Sequence, residues 1–168
     1  MNFTFRIILD AEQDIFRDIR IASESNFEDL HFAIVNAFGL EPGQMASFYE
    51  SDEEWNQGHE ISLENFSDGP AGPLMSELRL NEFFVNTHER MLYAYDFMDM
   101  WTFFVELLQI DEESAVTVPE VVMSIGNTPD SAPGKAWGEG SGTEDEDDIF
   151  KDDDTFDEFG MDIDESWN

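Results

Sequence analysis

In a chain of 168 residues, 40 Asp and Glu stand against 7 Lys and Arg, a formal net charge of −33. That balance argues against direct nucleic-acid binding, which needs cationic side chains to displace counterions from phosphates, and against an anionic membrane surface. The absence of cysteine removes disulfide frameworks and thiolate metal sites, while a hydrophobic fraction of 41% with sixteen Phe residues is enough for a core.

The chain starts as a strand: Phe3, Phe5, Ile7 and Leu9 alternate with Thr4, Arg6 and Ile8, the period of one buried face. A polar turn around residues 11–14 leads to a second strand over 16–22. A helix over 27–38 follows. Ser25 and Glu28 are spaced as its capping box, Phe27, Leu30, Ile34 and Phe38 form its apolar stripe, and Gly39 is its stop. Residues 45–50 are expected to be a third strand and 61–66 a weaker short one. The Gly-Pro pairs of residues 68–73 mark a loop, and a short second helix is predicted over 80–85. Residues 91–97 and 101–110 read as a hairpin, and 115–123 as an edge strand because of Pro119. Strands gathered around one long helix predict an α+β fold, a mainly antiparallel sheet carrying the helix, with a domain over residues 1–125.

Beyond it, Pro129, Pro133, Gly134, Gly138, Gly140 and Gly142 make residues 126–142 a linker. Residues 143–168 hold thirteen acids and one Lys, net −12, and are expected to be a disordered acidic tail. The remaining −21 falls on residues 1–142, so the body is acidic in its own right. No signal peptide is legible at Met1-Asn2-Phe3-Thr4-Phe5-Arg6, and no apolar run approaches the roughly 20 residues of a membrane span, so a cytoplasmic protein is expected.

Two segments carry a family resemblance. The helix Phe27-Glu28-Asp29-Leu30-His31-Phe32-Ala33-Ile34-Val35-Asn36-Ala37-Phe38-Gly39, and Tyr93-Ala94-Tyr95-Asp96-Phe97 with Asp99 and Trp101, resemble the two signatures of the Ri-plasmid "open reading frame three"-like family, also labelled an insertion-element passenger family. The resemblance spans roughly residues 1–125, with a fainter extension over Ser124-Ile125-Gly126-Asn127-Thr128-Pro129, and does not explain the acidic tail, which is taken as particular to a subgroup. It implies a helix packed on a mainly antiparallel sheet, and a mobile-element association without an established biochemical role. Met98 stands where the family has Gly, Leu40 where an aromatic is usual, and acids replace many of its basic residues.

Chemistry concentrates at the turn of the predicted hairpin. Asp96 and Asp99, flanked by Tyr93, Tyr95 and Trp101, would suit a metal or an acid/base pair, with His31 of the helix within reach. Asp is equally a common turn residue and alternating aromatics are ordinary cross-strand core; this structural reading is preferred because no third ligand or nucleophile stands at fixed spacing. His59 and His88 are isolated, the acidic run at 152–158 has Asp157 where a calcium loop needs Gly, and no nucleotide or cofactor fingerprint occurs. No cofactor is expected. In the tail, Phe150, Phe156, Phe159 and Trp167 are spaced among acids as anchors for a groove rimmed by Lys and Arg. The function expected is therefore a non-catalytic interaction module capturing a basic protein partner. Two alternatives stand beside it: a carboxylate-based metal-dependent enzyme at Tyr95, Asp96, Asp99 and Trp101, and a nucleic-acid-mimicking decoy for a DNA- or RNA-binding protein.

Overall fold

Seven antiparallel strands form one sheet in the order β4-β3-β5-β6-β1-β2-β7, in a computed structural model that describes residues 1–65, 69–70 and 72–133. The strands are β1 (Asn2–Leu9), β2 (Phe16–Ala22), β3 (Ala46–Ser51), β4 (Gln57–Ser62), β5 (Arg90–Tyr95), β6 (Trp101–Asp111) and β7 (Glu120–Ile125), with the helix α1 (Phe27–Phe38) between β2 and β3. All lie within one unit, Met1–Pro133, and Ala132 packs against the core from its end. The tail, with Phe150, Phe156, Phe159 and Trp167, and the later part of the expected linker lie outside the described residues.

The alternation in β1 does what its period dictates. Phe3, Phe5, Ile7 and Leu9 are all buried, and β1 sits centrally between β2 and β6. In β6 the partners on the same face are Val105 and Leu107, with a register shift at Thr4/Phe5. Across this face lies α1, whose Phe27, Leu30, Ile34 and Phe38 are essentially inaccessible. Phe27 meets Phe48 and Phe83 edge-on at 5.3 Å, and Phe38 meets Phe103 at 4.8 Å. Such packed aromatic pairs add to the area they bury.

The predicted helix has the right length and stripe, but its cap lies one residue further on. Asn26, not Ser25, is the N-cap: its side chain accepts from Asp29 N–H at 2.8 Å, and Asp29 Oδ2 accepts from Asn26 N–H at 3.1 Å. Ser25 is committed elsewhere, its N–H donating to Ala22 O and its carbonyl accepting from Leu80 N–H. The same reciprocal chemistry works for Asn and Asp, and a tertiary tie, Phe27 N–H to Leu78 O, sets the start. Gly39 ends the helix at φ 66°, the left-handed conformation glycine adopts without penalty.

Three further expectations are corrected. The weak strand lies at Gln57–Ser62 rather than 61–66; only Ile61 in it is buried, so it has no apolar period to read and is held by pairing to β3. The short second helix over 80–85 is instead two 3-10 turns, Met75–Glu77 and Leu80–Glu82, because each is a single turn plugging one side chain, Met75 or Leu80, into the core. The last strand begins after Pro119, which has no N–H to give a ladder, and ends at Gly126, where a Cβ would come 2.5 Å from Asp14 O.

The opposite face of the sheet is polar. Arg6 pairs with Asp18 through two 2.8 Å bonds, and Arg20 reaches Asp111 at 3.1 Å and Glu113 at 2.8 Å. Trp55 covers Phe104 at 4.9 Å and lies under the Arg90 guanidinium.

Candidate functional site

The β5–β6 hairpin places Tyr93 and Tyr95 on the helix side, two residues apart and therefore on one face, opposite Phe103 and Trp101. Helix α1 brings His31 down onto them. His31 Nδ1 lies 2.6 Å from the Tyr93 hydroxyl, and its ring is 6.0 and 5.9 Å from the rings of Tyr93 and Tyr95, which stack on each other at 6.4 Å. The Tyr95 hydroxyl donates to Glu41 O and accepts from Gln44 N–H at 3.3 Å. Four of the six predicted site residues, His31, Tyr93, Tyr95 and Trp101, thus share one side of the sheet and are buried.

Burial decides their charge states. His31 is pushed down to about 4 and Tyr93 well above the usual tyrosine range, both because the charged form loses its water. Both are neutral at pH 7 and share one hydrogen bond. An imidazole held this low does not store a proton at neutral pH, so the pair suits polar packing or a neutral contact to a ligand. A hollow of about 230 Å³ reaches His31 of this pair and is lined also by Glu28, Phe32, Gln44, Met45 and Glu64. Three chain segments build that wall, and for that reason its members other than His31 were not singled out as a site from the sequence.

The two acids stand apart from the buried cluster. Asp96 occupies the turn at φ 62°, its N–H donating to Met45 O, its Oδ1 accepting from Met98 N–H at 3.2 Å and Asp99 N–H at 3.4 Å. That is the turn role open to any Asp, which tolerates the left-handed region and bonds backbone two positions on. Asp99 is exposed at the tip. Among the described residues no group of three or more His, Cys, Asp or Glu is placed to hold a metal ion, and no helix is long and apolar enough to cross a membrane.

An antiparallel sheet crossed on one face by a single capped helix, with an aromatic hairpin over a helical histidine, defines the class to which the molecule is assigned. The chain belongs to the plasmid pRiA4b ORF-3-like protein family, whose profile matches residues 2–159 and so extends past residue 125 into the acidic stretch. Among solved structures it is similar to a protein of unknown function, MM3350 from Methanosarcina mazei Go1, at 22% identity and a TM-score of 0.62, over 76% of this chain and 71% of that one. At that identity the likeness shows the fold alone. No curated protein matches the sequence.

Proposed function

We propose that this protein is a non-catalytic interaction module that captures a basic protein partner through its acidic surface and tail. The observation that carries the reading is where the cations go. Of the five arginines in residues 1–133, Arg6 and Arg20 are tied to carboxylates, and Arg17 donates to the carbonyls of Ala37, Phe16 and Ile125 while lying over the Phe38 ring. Arg90 donates to Glu53 O and covers Trp55. Arg79 is exposed, so four of these five cations are held within the fold, and the carboxylates of residues 1–133 far outnumber the one left over. Such a field steers a basic partner and repels nucleic acid and anionic lipid.

Titrating the full chain with a Lys-rich polypeptide across a salt series tests this. Binding should weaken steeply between about 50 and about 500 mM salt, as screening of exposed charges requires. Binding that ignores salt but is lost when Phe156, Phe159 and Trp167 are changed to Ala would assign capture to the tail aromatics alone. Absence of binding at low salt would overturn the reading. Tight stoichiometric Mg²⁺, Mn²⁺ or Zn²⁺ binding, lost in an Asp96→Asn, Asp99→Asn double variant, would replace it with the carboxylate-enzyme alternative.

A further inference from the structure

The two edges of the sheet are built differently. At one edge, β4 has the sequence Gln-Gly-His-Glu-Ile-Ser, polar along its exposed length, which is how edges are kept from pairing with other chains. At the other edge, β7 reads Glu-Val-Val-Met-Ser-Ile and is exposed at every position. Val121, Val122, Met123 and Ile125 leave 41–53% of their surface to solvent, and β7 hydrogen-bonds only to β2 among the described residues. It contains no Lys and no Pro. Its guards are confined to Glu120 at the start, just after Pro119, and to the register shift at Asp18/Ile19 in its pairing with β2, so the apolar stretch from Val121 onward remains a template for another strand.

The neighbourhood extends the apolar strip. Between β7 and the outer side of α1 lies a hollow of about 540 Å³, walled by Phe32, Ala33, Val118, Pro119 and Val121. Phe32 and Val118 are 52% and 64% exposed, although a helix or loop on a core normally keeps such residues turned in. Asp29 and Glu120 also line it; Asp29 caps the helix, and the Glu120 carboxylate stands 3.9 Å from Arg20. The site therefore combines a backbone ladder without a second strand among the described residues, a groove of mixed apolar and polar lining, with Ser25, Asn36 and Thr117 beside the apolar side chains, and carboxylates at its wall.

We infer that β7 accepts an extended segment of the basic partner as an eighth strand, with apolar side chains of that segment entering the groove beside Phe32 and Val121 and its Lys or Arg side chains meeting Asp29 and Glu120. The inference rests on the proposed capture of a basic partner and specifies where it docks. Charge chooses the occupant: a second copy would bring another −33 to this edge, whereas a segment alternating apolar and basic residues matches both the strip and the field.

Two peptides of equal charge, added to the full-length protein, test the site: one alternating Val and Lys, which forms strands, and one with the same number of Lys but Pro in place of each second Val, which cannot. Expected are at least about tenfold tighter binding of the first, equivalent to about 1.4 kcal/mol, and slowed hydrogen exchange at the amides of residues 120–125. A Val121→Glu, Met123→Glu variant makes the surface more acidic yet should lose that preference. Should both peptides bind equally and the variant bind either as well or better, the strand site is wrong while acidic capture stands. If neither peptide binds at about 50 mM salt, where the exposed field is only partly screened, both readings fall. Dimerisation with those amides protected would make a second copy the occupant, and protection in the peptide-free monomer would mean the chain covers its own edge; either result overturns the inference.

Discussion

Tyr93 and His31 show how a single buried hydrogen bond fixes a site. Each is desolvated, and each is satisfied by the other at 2.6 Å. Tyr93→Phe removes one partner and strands the imidazole nitrogen in the core, for which the expected cost is about 1–3 kcal/mol in denaturant unfolding. A variant as stable as the parent would show that the bond contributes nothing. The histidine also sets a pH response. Its folded value, about 4, lies below the 6.5 it has when exposed, so the unfolded chain takes up a proton that the folded chain refuses. The stability from keeping it neutral is complete above pH 6.5 and is lost as the pH falls toward 4, by an amount on the order of 3 kcal/mol. His31→Gln keeps an acceptor for the Tyr93 hydroxyl and removes the titration. The difference in stability between the two proteins should therefore change across that window and be constant from pH 7 to 8; a constant difference throughout would remove His31 as the source.

For the helix, the stripe of Phe27, Leu30, Ile34 and Phe38 was legible because a 3.6-residue period survives any context, and all four are buried. Ile34→Asp should abolish the cooperative melt by placing a carboxylate in the core. The cap was displaced by one residue because two adjacent positions offered equivalent chemistry, and ties distant in sequence, Phe27 N–H to Leu78 O, Leu80 N–H to Ser25 O and the Asn26↔Arg79 bridge, hold the start at Asn26. Asn26→Ala should therefore cost about 1 kcal/mol and Ser25→Ala much less. Equal effects in thermal melts would restore the sequence-based cap. Strand β4 was misplaced by several residues for the opposite reason: with one buried side chain it has no pattern, and its strand state is imposed by Phe48↔Ile61 and Tyr49↔Glu60 pairing.

Over the whole molecule the dominant quantity is charge. A chain of −33 repels itself in the folded state more than in the expanded one. Raising salt from about 10 to about 100 mM shortens the screening length from about 30 to about 10 Å, and the melting temperature should rise with it. A fall would mean that ion pairs such as Arg6–Asp18 and Arg20–Asp111 outweigh the net repulsion.

By itself the sequence determined the α+β class, the helix face, the central strands and the acidic excess, all of them properties carried by local period or by composition. It placed His31, Tyr93, Tyr95 and Trp101 in one group, which the fold brings to one side of the sheet, together with Asp96 and Asp99, which it leaves in the turn. What only the tertiary structure decided was strand order and pairing. Met75 and Leu80 became single-turn plugs, Arg6, Arg17, Arg20 and Arg90 were held within the fold, and the strand read as an edge from Pro119 was given β2 as its neighbour. The physical reason is that a strand's burial depends on which neighbours cover its two faces and edges, and those neighbours lie tens of residues away, beyond the reach of any local pattern.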